Sequence, residues 1–134
     1  MPVVIRLRSG RYLAVYEVVG IGDAQVFLKE SGDGLEWPEG LGRAVPGHRA
    51  APYVLELETG RLLLTSCANR ISWSDDGGAS WTMAVERGWE PDQDPSRTWL
   101  TWPALYDLGD GEVLLSSSSI RRRASELRIG KLQP

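Results

Sequence analysis

The sequence predicts an all-β chain of four-stranded antiparallel meanders, arranged as about three blades of a β-propeller. Three observations predict it. A hairpin-like segment recurs three times, at offsets of 50 and 51 residues. Each copy turns on a glycine set between apolar runs. No stretch carries the apolar spacing of a convincing helix. Antiparallel units repeating at this period are the signature of propeller blades.

The repeat aligns without gaps as Pro2–Val15, Pro52–Thr65 and Pro103–Ser116. Proline stands first in each copy, with Leu7, Leu57 and Leu108 five residues on. Gly10, Gly60 and Gly111 follow at eight, and Leu13, Leu63 and Leu114 at eleven. The opening proline suits a strand start because it lacks an N–H. The glycine supplies the positive φ of a tight hairpin turn. Leu62-Leu63-Leu64 and Val113-Leu114-Leu115 read as strands buried on both faces. Third strands are predicted at Gln25–Lys29, Asn69–Ser74 and Glu126–Leu132, where β-formers or strict alternation return. A fourth strand is predicted at Trp81–Glu86; its counterpart is weak after Trp37 and absent after Leu132. The repeats span residues 2–51, 52–102 and 103–134 of a single partial propeller, domain 1–134.

The 134 residues suit one domain, and 42% hydrophobic with 25% charged residues is ordinary globular composition. A net charge of -3 argues against a general nucleic-acid partner, which would need a basic footprint. No apolar run reaches the length of a membrane span, and Met1–Arg6 lacks the blocks of a signal peptide. Cys67 and His48 are each the only residue of their kind. A cysteine-based metal cage and a multi-histidine metal site are therefore excluded, and no cofactor is expected.

Ser74-Asp75-Asp76-Gly77-Gly78-Ala79-Ser80-Trp81 fits the pattern Ser-x-Asp-x-Gly-x-Ser/Thr-Trp. A shortened version, Ser31-Gly32-Asp33-Gly34-Leu35-Glu36-Trp37, stands one repeat earlier. The aspartate can accept backbone N–H groups inside a tight turn, glycine permits positive φ, and tryptophan can fold back into the gap between sheets. These residues read as a structural staple: Ser74, Asp76, Gly78, Ser80 and Trp81 in the full box, Ser31, Asp33, Gly34 and Trp37 in the short one. In phase with the hairpin repeat, they make the chain resemble the sialidase superfamily of Asp-box (BNR) propellers. The stretch Tyr16–Gly20, followed by Gln25–Lys29 and the short box, is similar to the exo-arabinanase-type branch and its bacterial relatives. That resemblance implies a six-bladed, mostly secreted, retaining exo-glycosidase with carboxylate catalysts. Three repeats are half of such a ring.

Antiparallel connectivity puts the glycine turns and the boxes at one end of the blades. The longer loops collect at the other, where function on a rigid scaffold usually sits. They are expected at Tyr16–Ala24, His48–Ala51, Ser66–Arg70, Gly88–Trp102 and Ser117–Arg123. Glu17, at a strand end, is the first candidate catalytic carboxylate and Glu90 the second. Candidate substrate contacts are Tyr16, Asp23, His48, Arg49, Asn69, Arg70, Trp99 and Trp102. Arginine pairs with carboxylates and hydroxyls, and tryptophan faces stack on sugar C–H surfaces. Strand parity sets Tyr16 and Glu17 on opposite faces. The Arg121-Arg122-Arg123 run reads as a solvated loop.

Three functions remain open on the sequence. They are a sialidase-like exo-glycosidase, a carbohydrate-binding module without turnover, and a structural half-propeller. In the last, two copies would form a homodimer that closes a six-bladed ring; the alternatives are a fragment of a longer chain and a monomeric three-blade arc. The partner classes expected are a carbohydrate and a second copy of the chain, with no nucleic acid and no membrane.

Overall fold

The computed structural model describes residues 2–20, 22–67, 70–84, 100–121 and 124–132. Eleven strands form: β1 (Val3–Arg6), β2 (Tyr12–Gly20), β3 (Gly22–Ser31), β4 (Arg43–Val45), β5 (Tyr53–Glu56), β6 (Leu62–Ser66), β7 (Arg70–Ser74), β8 (Thr82–Ala84), β9 (Leu100–Gly109), β10 (Glu112–Arg121) and β11 (Ala124–Leu132). There is no helix among the described residues. The strands make three meanders, β1-β2-β3-β4, β5-β6-β7-β8 and β9-β10-β11, in which every neighbour is antiparallel and sequential.

The glycine turns repeat atom for atom. Gly10 N–H donates to Leu7 O at 2.8 Å and Gly60 N–H to Leu57 O at 2.9 Å. Both glycines sit at φ 85°. The first residue of each turn closes the ladder, Leu7 N–H to Arg11 O at 2.7 Å and Leu57 N–H to Arg61 O at 2.9 Å. In the third copy Asp110 and Gly111 take positive φ, 53° and 77°. Only glycine does so without a Cβ penalty, and aspartate is among the few others that tolerate it.

Parity then divides the apolar residues between two cores. Val3, Ile5, Leu13 and Val15 share one face of the first sheet, as the register Val3↔Val15 and Ile5↔Leu13 requires. They pack with Val26 and Leu28 against Val54, Leu62 and Leu64 of the second sheet. The opposite face of that second sheet presents Tyr53, Leu55, Leu63, Ile71 and Trp73, which pack against Leu105, Val113 and Leu115 of the third. β6 is therefore buried throughout because both its faces are covered, Leu62 and Leu64 in one core and Leu63 in the other. The opening strands of successive sheets lie side by side, β1 against β5 and β5 against β9.

Four expectations change. The predicted Tyr16–Ala24 loop is strand: β2 and β3 stay paired until Gly20↔Gly22, and Gly20 at φ 99° reverses the chain. The predicted Ser117–Arg123 loop is also largely strand, with β10 and β11 paired as far as Arg121↔Ala124. Serine-rich composition mimicked a loop there, but cross-strand pairing overrides local preference. Pro103 does not open its strand, since β9 begins at Leu100. The ladder instead shifts between Ser116 and Ser118, opposite Trp102 and Pro103, where proline has no N–H to give. The weak fourth strand after Trp37 is real but short, β4, paired to Val26–Leu28. Gly42 makes it possible, because a Cβ at that position would lie 2.3 Å from Leu28 O.

Candidate functional site

The Asp-box end is a set of closed hydrogen-bond circuits. Asp76 Oδ1 accepts Ser80 N–H at 2.8 Å and Ser74 Oγ–H at 2.7 Å, while Oδ2 accepts the Ser80 hydroxyl at 2.6 Å. Ser74 Oγ in turn accepts Gly78 N–H at 2.8 Å. The Ser80 hydroxyl and backbone hydrogen bonds, with that of Ser74, hold the Asp76 carboxyl well below the ordinary range. The shortened box follows the same plan. Asp33 Oδ1 accepts Leu35 and Glu36 N–H, each at 2.9 Å, and Ser31 Oγ accepts Gly34 N–H at 2.9 Å. Hydrogen bonds from the Glu36 and Leu35 amides also lower the Asp33 carboxyl. Trp81 packs against the core between the first two sheets, while Trp37 donates its Nε1–H to Gly34 O at 3.2 Å. Arg61 of the β5–β6 turn grips Asp75 of the box through two nitrogens, at 2.7 and 3.1 Å. The glycine turns and the boxes thus share one end, as the connectivity requires.

At the opposite rim, Glu17 lies on the same face of β2 as Leu13 and Val15, turned toward the second sheet. Its Oε2 accepts Ala51 N–H at 2.8 Å, across the junction of the two sheets. That backbone hydrogen bond lowers the Glu17 carboxyl against an opposing contribution from burial. Ala50 and Ala51 both take positive φ, 37° and 40°, and Ala50 O accepts Cys67 N–H at 3.1 Å. Burial pushes the Cys67 thiol up; a backbone hydrogen bond with Trp102 opposes that and the charge of Glu17 adds to it. Glu17, Cys67 and Trp102 therefore converge on one spot from all three sheets. Trp102 is 63% exposed and sits at φ 54°, the irregular position of β9.

The remaining candidates separate. Tyr16 faces away from Glu17: its hydroxyl donates to Leu41 O and its ring stacks on Phe27 at 6.4 Å. His48 is buried, with Nδ1 3.0 Å from Ser66 Oγ and Nε2 2.8 Å from Ser72 Oγ. Burial, with the charge of Arg70 behind it, pushes the imidazole down to about 4. Both ring nitrogens are engaged inside the fold, and its one charge-changing group faces no solvent. Arg49 is exposed, and its backbone N–H donates to Ser66 Oγ at 3.3 Å. Arg70 is exposed and donates from Nη1 to Gly47 O at 3.2 Å. Asp23 is the second residue of β3, its side chain outside the described set; Glu90, Asn69 and Trp99 lie outside the described residues. Among the described residues no group of histidine, cysteine and carboxylates is arranged to hold a metal, and no helix is long and apolar enough to cross a membrane.

No protein-family model matches the chain, and no curated protein matches it.

Sequence reasoning missed Cys67, Ser66, Ser72 and the Ala51 amide. An amide donor has no side-chain signature. The two serines meet His48 across separations of 18 and 24 residues, through a register that only the paired β6 and β7 create.

Proposed function

We propose that the chain is a carbohydrate-recognising segment of a sialidase-like Asp-box β-propeller, with the sugar held at the rim opposite the boxes. One observation carries the reading: the ionised Glu17 carboxylate, pinned by the Ala51 amide, and the backbone of the exposed Trp102 both act on Cys67 at this rim. A carboxylate accepts sugar hydroxyls, and an indole face packs on the C–H surface of the ring. The sequential packing of meanders, with opening strands adjoining, supports the propeller architecture. The Asp33 and Asp76 circuits support its Asp-box type.

The lowered Glu17 carboxyl suits a hydroxyl acceptor or a nucleophile, not a general acid, which must keep its proton near neutral pH. The carboxylates Glu30, Asp33, Glu56, Asp75, Asp76 and Asp107 all serve the opposite end, through Arg11, Leu35, Arg8, Arg61, Ser80 and Gly109 respectively. Binding is accordingly the primary reading, and retaining exo-hydrolysis would require Glu90 to supply the acid. The test is a tryptophan-fluorescence titration with an arabino-oligosaccharide and with a sialyl-oligosaccharide, beside turnover of the matching aryl glycosides. Saturable quenching by one sugar, lost in Trp102→Ala and Glu17→Gln, is expected. Absence of saturation with either sugar, or binding indifferent to both substitutions, refutes the assignment.

A further inference from the structure

The repeat makes each sheet face comparable with its counterparts. Val54 and Leu105 stand at the same repeat position, on the face turned toward the preceding sheet, and both are buried. Leu62 and Val113 share the next such position and are fully buried. Their counterparts in the first sheet are Val4 and Tyr12, on the face away from the second sheet, and Val4 is 54% exposed. At the other end of the series, Leu55 and Leu57 pack into the second core. Their counterparts, Tyr106 and Leu108, lie bare at 66% and 44%. One end of the series thus presents a forward-facing surface and the other a backward-facing surface, and these are the two halves of the junction the chain already builds twice.

Charge supports the match. At the first internal junction Glu56, in the second sheet, reaches back to the turn of the first and accepts Arg8 N–H at 2.7 Å. The residue at the Glu56 position in the first sheet is Arg6, exposed and lying over the Tyr12 ring at 5.9 Å. The turn it would meet on the third sheet carries the exposed Asp110. An anion–turn contact inside the chain is replaced by a cation facing an acidic turn.

We propose that a second copy of this chain covers both bare faces, the third sheet of each copy packing on the first sheet of the other about a two-fold axis. The surface pairs Val4, Arg6 and Tyr12 of one copy with Tyr106, Leu108 and Asp110 of its partner, twice per dimer. A head-to-tail junction that closes by symmetry leaves no free surface, whereas one that does not close builds open chains.

Light scattering on the 134-residue chain at micromolar concentration tests this. The expected mass is twice the 14.8 kDa of one chain. Arg6→Glu and Asp110→Lys should each weaken the dimer by at least about tenfold, and the two together should restore it. Both sites are exposed, and lysine tolerates the positive φ of Asp110 less well than aspartate, so circular dichroism checks that each variant is folded, and Tyr106→Glu provides a third, apolar disruption. A folded species of single-chain mass, a broad distribution of larger masses, or a dimer unchanged by Arg6→Glu and by Tyr106→Glu would each overturn the proposal.

Discussion

Acidification should weaken the fold through His48. The imidazole is held neutral, its ordinary value of 6.5 lowered to about 4 by burial, with Arg70 adding repulsion. Of the two hydroxyls, Ser66 at Nδ1 and Ser72 at Nε2, one donates to the bare ring nitrogen and the other accepts from the protonated one, so the neutral ring is satisfied as it stands. Protonated, both nitrogens donate, and Ser66 Oγ already receives Arg49 N–H. The unfolded chain binds this proton at the ordinary value and the folded one resists it. Stability is therefore complete above about pH 6.5 and falls as pH drops toward 4, at up to about 1.4 kcal/mol per pH unit. Between pH 7 and pH 5 the loss is about 2 kcal/mol, approaching about 3 kcal/mol at the acid limit. His48 is the chain's only histidine, so no other imidazole contributes. Urea unfolding followed by tryptophan fluorescence at half-unit pH steps measures the slope, with His48→Gln as the control that should flatten it. A wild-type stability that is level from pH 7 to pH 5 would refute the burial argument.

The Asp-box should respond in a separate, lower window. The Asp76 and Asp33 carboxyls are depressed, so their stabilisation is intact above about pH 4 and is lost below it; Asp76→Ala should lower Tm at neutral pH and blunt that acid loss, without touching sugar binding. Trp81 Nε1 is buried and meets no acceptor among the described residues, so Trp81→Phe should cost less than about 1.5 kcal/mol whereas Trp81→Ala should cost about 3–5 kcal/mol, both read by denaturant melts. Gly42→Ala would drive a Cβ to 2.3 Å from Leu28 O at φ 75°, and at least about 2 kcal/mol should be lost as β4 detaches, visible as early amide exchange at Val26–Leu28. Glu17→Gln keeps an oxygen for the Ala51 amide, so Tm should hold while any glycoside turnover falls at least about 100-fold; retention of a tenth of the rate would remove Glu17 from the chemistry.

The parts of this fold that were legible are those written in short range. Gly10 and Gly60 announce their turns because positive φ is a one-residue property, and Asp76 announces its circuit because every partner lies within four residues. Leu62-Leu63-Leu64 betrayed a strand covered on both sides. The continuation of β2 to Gly20 was not legible, since only pairing with β3, through Val18↔Gln25 and Gly20↔Gly22, holds this stretch extended. β4 was nearly silent: it has three residues, and its decisive feature is the room Gly42 leaves beside Leu28. At the candidate site Glu17 was visible as a carboxylate at the rim, but its Ala51 donor was not. His48 showed only its chemistry, and its burial between Ser66 and Ser72 is a property of tertiary register.

The double duty of β6 constrains how such a chain can drift. Leu62 and Leu64 belong to one core and Leu63 to the other, so gaining or losing a single residue between Glu58 and Gly60 would exchange the two sets and misfit both at once. Length changes in that turn should be purged. Beyond the short box, residues 38–41 lead on to β4 and feed neither core, so insertions there carry no such penalty. Indel tolerance should therefore be lopsided within one repeat, rigid at the first turn and permissive after the third strand, and a deep insertion scan would display it as two sharply different rows.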